Sequence, residues 1–149
     1  MPPKKQPVPV ARKITADALR GLPQSKIKEL FDQLGPQKTE ELQHDWMFWA
    51  RDNQLEPNDD EWNTWFINAG RGFGKTRSGV EWVREQVKHG IKRIAAVAST
   101  NSDIERVMVK GESGFLSVCW KGDKTHKGKK MGFPDWSPTK RTLTWENGA

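Results

Sequence analysis

Cysteine occurs once, at Cys119, so no internal disulfide can form and the chain suits a reducing compartment. Long apolar runs are missing as well. No stretch approaches the roughly 20 residues that a membrane-spanning helix needs, so no membrane partner is expected. The basic start, Met1-Pro2-Pro3-Lys4-Lys5-Gln6-Pro7, lacks the apolar segment of a secretory signal. His44, His89 and His126 are far apart in sequence, and no ligand spacing among them suggests a metal site. Apolar residues make up 34% of the 149, enough for one modest core.

Charge is plentiful. Lys and Arg number 25 against 19 Asp and Glu, a net charge of +6. That balance is compatible with a polyanionic partner, because Lys and Arg displace condensed counterions from phosphates. It equally describes an ordinary solvated basic surface.

Composition divides the chain into three stretches. Residues 1–22 hold prolines and basic residues with no apolar period, which predicts a disordered tail. Residues 23–56 read as a helical lead-in. Ser25 opens a helix with Ile27, Leu30, Phe31 and Leu34 at i, i+3, i+4 and i+7, stopped by Gly35-Pro36. Thr39 then caps a second helix in which Leu42, Trp46 and Trp49 share one face, so the two are expected to pack as a hairpin. Residues 57–149 read as α/β. The short apolar run Trp65-Phe66-Ile67 feeds a glycine-rich loop. An amphipathic helix follows, with Thr76, Val80, Val83 and Val87 on one face, and Arg77, Glu81, Arg84, Glu85 and Lys88 around the rest. Gly90 supplies the C-cap. Ile94-Ala95-Ala96-Val97-Ala98 is continuous in the manner of a strand buried on both faces. Strand, loop, helix and strand predict a right-handed βαβ unit and a parallel sheet.

Further on, Ser102 and Glu105 have capping-box spacing, with Ile104, Val107 and Met108 facing inward. Lys121, Lys124, Lys127, Lys129 and Lys130 mark a stretch expected to be a mobile surface loop, or else a set of contacts to a phosphate backbone. Thr142-Leu143-Thr144-Trp145 alternates like a strand, and Glu146-Asn147-Gly148 reads as a hairpin turn. Asp59, Asp60 and Glu61 beside Pro57-Asn58 read as turn chemistry, not a metal site.

The chemistry concentrates at Ala69-Gly70-Arg71-Gly72-Phe73-Gly74-Lys75-Thr76, one methyl group away from the G-x-x-x-x-G-K-[ST] phosphate loop. Gly70, Gly72 and Gly74 let backbone N–H groups converge on an anion, and the following helix turns its positive end to the same place. Lys75 then reaches the β- and γ-phosphates of ATP, and Thr76 offers its hydroxyl to Mg²⁺. Phe73 contributes backbone to the same cradle. A glycine-rich turn without a ligand leaves the Lys-Thr pair at the helix start unexplained.

In its wording the chain resembles the large terminase subunits of tailed bacteriophages. The likeness rests on Trp62-x2-Trp65, on Ala69 to Thr76 with Arg77-x-Gly79-x-Glu81-Trp82-Val83, and on Asp45-Trp46-x-Phe48-Trp49-Ala50-Arg51 upstream. Downstream it includes Val109-x-Gly111-Glu112-Ser113-Gly114 and Leu143-Thr144-Trp145-x-Asn147-Gly148-Ala149, so it covers about residues 25–149. The resemblance implies an ATPase that drives double-stranded DNA through a portal protein into procapsids in the host bacterial cytoplasm. The implied partners are a small terminase subunit and further copies of itself in a ring. It implies that Arg71 faces the γ-phosphate as a catalytic charge beside Lys75, and that Gln54 contacts adenine. An apolar strand ending in Asp-Glu, which such motors use to hold Mg²⁺ and water, is not present in these residues, nor is a nuclease domain. The expectation is therefore a fragment: a partial P-loop NTPase that binds nucleotide without turning it over. Two rivals stand beside it, a truncated non-catalytic interaction fragment and another P-loop DNA motor such as a helicase.

Overall fold

The structure is a computed structural model in which residues 15–57 and 62–149 are described. The tail up to residue 14 and the acidic cluster Asp59, Asp60 and Glu61 lie outside the described residues. The chain divides into two compact units, Met1–Gly70 and Arg71–Ala149.

In the first unit, Thr15 caps a single helical turn, α1 (Ala16–Leu19), its hydroxyl accepting the Ala18 N–H at 3.3 Å. Helix α2 (Gln24–Gln43) follows Pro23 and is interrupted at Gly35, which takes φ 75 and ψ 165. That break is the stop expected from Gly35-Pro36, and Pro36 opens the next stretch where a missing N–H costs nothing. Thr39 does not cap. Its hydroxyl donates to the Gly35 carbonyl at 2.8 Å, one turn back inside the helix. The helix expected to carry Leu42, Trp46 and Trp49 together ends at Gln43. Asp45 then accepts the Met47 N–H at 2.9 Å and starts a separate turn, α3 (Trp46–Trp49). The Trp49 indole donates back to the Leu42 carbonyl at 2.9 Å, so the aromatic segment stays tied to α2 by a hydrogen bond instead of a shared face.

The second unit is built around α4 (Lys75–Lys88). Gly90, at φ 94, ends it as expected: its N–H donates to the Val87 carbonyl and the Ile91 N–H to the Gln86 carbonyl, both at 3.0 Å, the two bonds of a Schellman stop. Thr100, two residues earlier than expected, caps α5 (Asn101–Asp103) by accepting the Asp103 N–H at 3.1 Å. The chain continues at once as a π-helical stretch, Ile104–Val109, closed by the Lys110 N–H on the Glu105 carbonyl at 2.9 Å. The wider winding explains a change of face. Val107, inward on a 3.6-residue period, is exposed, and Val109 is buried instead. A short α6 (Phe115–Val118) and the antiparallel pair β1 (Asp135–Ser137) and β2 (Thr142–Thr144), with Trp136 opposite Leu143, complete the unit.

Among the described residues this pair is the only sheet. Trp65-Phe66-Ile67 and Ile94–Ala98, each expected as a strand of a parallel sheet, belong to no ladder, and Phe66 is 80% and Val97 83% exposed. The turn at Glu146-Asn147-Gly148 forms as expected, with Gly148 N–H donating to the Trp145 carbonyl at 2.9 Å. The Lys-rich stretch folds as a hydrogen-bonded turn. Lys124 bridges Lys130, the Thr125 N–H donates to the Lys129 carbonyl at 2.7 Å, and the lysines at 121, 124, 127, 129 and 130 face outward.

Val80 and Val87 of α4, Phe115 and Val118 of α6, Cys119, Met131 and Trp145 form the core of this unit. Phe115 and Trp145 meet edge to face at 6.2 Å. Burying side chains of this size is worth about 1.5–3 kcal/mol each, and most of them come from outside α4.

Candidate phosphate-binding loop

The division between the two units falls inside the glycine-rich loop, after Gly70. Ala69 and Gly70 therefore belong to the first unit, and Arg71 to Thr76 to the second. Arg71 and Gly72 form a turn, and Gly72 (φ 80) and Gly74 (φ 96) both lie in the left-handed region. A side chain at either position would be strained there. The backbone turns at Arg71-Gly72, bends at Phe73 and enters α4 at Lys75. Gly74 brings no side chain to cap the helix. The Ser78 N–H donates to the Gly74 carbonyl at 2.9 Å, and Lys75, Thr76 and Arg77 form the first turn of the helix, at the positive end of its dipole. Arg71 and Lys75 are exposed, and Phe73 and Thr76 are half-buried. Space around Gly72 is open. These residues fit an anionic phosphate chain: glycine backbone, a helix start, two cations and a hydroxyl in six consecutive positions.

Gln54 sits in the first unit, in a 3-10 turn (Asp52–Gln54), and is buried. Its side-chain oxygen accepts the Arg51 N–H at 3.0 Å, a local structural duty.

Behind the loop, α4 departs from the simple two-faced helix. Glu81 and Arg84, assigned by spacing to the polar side, are each 3% exposed. Arg84 grips Asp123 with two parallel bonds, Nε to Oδ2 at 2.6 Å and Nη2 to Oδ1 at 2.5 Å, while Nη1 donates to Glu81 Oε2 at 2.9 Å. Arg77 holds the other Glu81 oxygen at 2.7 Å. Burial disfavours the Arg84 charge, but its bonds to Asp123 and the charges of Glu81 and Asp123 outweigh that, and its pKa is raised. Spacing could have flagged half of this, since Arg77, Glu81 and Arg84 follow at i, i+4 and i+7. Asp123, 39 residues on, carries no local signal. The result is that α4 is fixed to the Lys-rich turn through Asp123.

An apolar hollow of about 490 Å³ runs beside α4, lined among others by Val83, Val87, Ile94, Met108 and Leu143. None of residues 70–76 lines it. No described helix is long and apolar enough to cross a membrane. Comparisons with protein-family models, with curated proteins and with solved structures find no match.

Proposed function

We propose that residues 70–76 bind the phosphates of ATP and that the chain is the nucleotide-binding part of a DNA-packaging motor of the large-terminase kind. The observation that carries this reading is the conjunction at the start of α4: two left-handed glycines, Gly72 and Gly74, leading straight into a helix whose first residues are Lys75 and Thr76. A phosphate chain needs inward-pointing amides and a helix dipole, and this segment has the residues for both. Lys75 would hold the β- and γ-phosphates. Thr76 would offer its hydroxyl to Mg²⁺, which supplies charge neutralisation between the phosphates when bound. Arg71 would place a fixed charge where negative charge builds up during transfer. Gln54 is proposed toward adenine, with its other duty to Arg51 retained.

The proposal includes an α/β fold in which Trp65–Ile67 and Ile94–Ala98 serve as the strands of a βαβ unit with a parallel sheet. The exposure of Phe66 and Val97, and the apolar hollow beside Ile94, support it: apolar β-branched and aromatic residues left in water are what unpartnered strands present. Double-stranded DNA, a portal protein, a small terminase subunit and a homo-oligomeric ring in the bacterial host cytoplasm come with this reading as proposals. The same exposed residues favour the second reading, an interaction fragment without catalysis.

Titration of the 149-residue chain with a fluorescent ATP analogue and Mg²⁺ separates the two. Lys75→Ala is expected to weaken binding at least tenfold while leaving the circular dichroism spectrum intact. Equal affinity in wild type and variant would overturn the phosphate-loop reading and leave the interaction reading standing. Binding is the readout because these residues contain no apolar strand ending in paired acids to position a hydrolytic water.

A further inference from the structure

We propose that Glu85, His89 and His126 form a zinc site that fastens the Lys-rich turn to the end of α4. Although 37 residues separate the two histidines in sequence, their rings lie 4.2 Å apart, tilted by 37°. His126 Nε2 is 2.6 Å and His89 Nε2 3.5 Å from the same oxygen, Oε1 of Glu85. One ligand atom from each residue falls within 4.8 Å of the other two. Two ligands of a tetrahedral zinc, each at about 2.1 Å, stand about 3.4 Å apart. The His89–Glu85 separation already has that value. The closer His126–Glu85 pair has to open by less than 1 Å, and both side chains are exposed enough to rotate.

Several features make the arrangement more than a chance meeting of surface groups. Glu85 and His89 are i, i+4 on a helix, so they share one side of it. His126 is carried in by its own backbone, whose N–H donates to the Lys88 carbonyl at 3.1 Å. The turn that carries it is anchored from below by Asp123 on Arg84. Glu85 and His89 sit at the C-terminal end of α4, where the dipole favours a cation, and His126 is brought beside them by the turn. Lys88 is the opposing charge, with Nζ 3.8 Å from Glu85 Oε2, and it is also 3.8 Å from Asp123, which draws it aside. Two imidazoles and one carboxylate select a borderline divalent ion such as Zn²⁺ over Mg²⁺, which prefers an all-oxygen shell. Three protein ligands leave a fourth position for water.

The test is a Zn²⁺ titration of the 149-residue chain against a chromophoric chelator. One equivalent is expected to bind, with His89→Ala and His126→Ala each lowering affinity at least about a hundredfold, beyond the ten- to hundredfold loss attached to outer-shell partners. Excess Mg²⁺ is expected to leave Zn²⁺ bound. His44→Ala is expected to leave Zn²⁺ affinity unchanged, and so is Lys75→Ala even though it weakens ATP binding, so failure here is distinct from failure of the phosphate loop. Imidazole ¹H–¹⁵N spectra are expected to shift for His89 and His126 alone. Zinc affinity unaltered by both His variants, displacement by Mg²⁺, or a shift at His44 instead would each overturn the assignment.

Discussion

Helices α2 and α4 show how little length says about what holds a protein together. α2 spans 20 residues and buries none of them. α4 spans 14 and buries Ser78, Val80, Glu81, Arg84, Gln86 and Val87. Both have apolar residues at helical spacing. The difference lies in what arrives from elsewhere in the chain: α4 receives Phe115, Val118, Met131 and Trp145 against its valines and Asp123 against its arginine. Periodicity offers a face. Only distant partners turn it into a core.

The largest break in that comparison is expected at Arg84. Arg84→Ala removes the bidentate partner of buried Asp123 and one of the two arginines on buried Glu81, leaving Lys88 at 3.8 Å and Arg77 as counter-charges, which costs about 3 kcal/mol. The matching truncation on the other helix, Leu34→Ala at a 41% exposed position, is expected within about 0.5 kcal/mol of wild type. Urea denaturation of the two variants checks both, and similar midpoints would mean that the burial contrast has no energetic weight.

A smaller effect is expected at Val87, which is 1% exposed. Val87→Ala removes two buried carbons and leaves a void, a loss of about 2 kcal/mol. Thermal melts of this variant beside Ile27→Ala, at a half-buried position of α2, sharpen the contrast. An equal drop in Tm for both would dissolve it.

The last effect is a dependence on pH. Burial pushes the Cys119 thiol up to about 12 from an ordinary 9.0, with the nearby Asp123 and Glu81 charges adding to the rise and Arg84 opposing it. The unfolded thiol therefore loses its proton first. Its contribution to stability is complete below about pH 9 and declines up to about pH 12, by at most about 1.4 kcal/mol per pH unit. Denaturation of wild type and Cys119→Ala at pH 8 and pH 10.5 is expected to show a steeper decline in wild type. Parallel declines would count against a buried neutral thiol. A disulfide reagent at pH 8 is expected to modify Cys119 only on unfolding.

Local features were legible in the residues, and long-range ones were not. The stop at Gly35-Pro36, the C-cap at Gly90, the turn at Gly148 and the helix beginning at Lys75 each follow from the residue that occupies the position. What escaped was decided by competition or by distance. Asp45 could take the Met47 amide, and so a helix expected to continue through Trp49 restarted. A π-helical turn cannot be read from a 3.6-residue period, so Val107 and Val109 exchanged roles. His126 gave no hint of His89 because nothing near either residue says that the turn at 120–130 folds back along α4. The glycine-rich stretch was legible as a motif, and Gly72 and Gly74 take the left-handed conformation that glycine allows. The segments expected as strands on either side of α4 belong to no ladder among the described residues.

α4 also has a mechanical meaning. Fourteen residues make a rod of roughly 20 Å. It is gripped by Asp123 at Arg84, four residues before its end, and bears the loop at its start and His89 just past its end. The rod and the lysine turn are fastened to one another at two points, Arg84 on Asp123 and the His126 N–H on the Lys88 carbonyl.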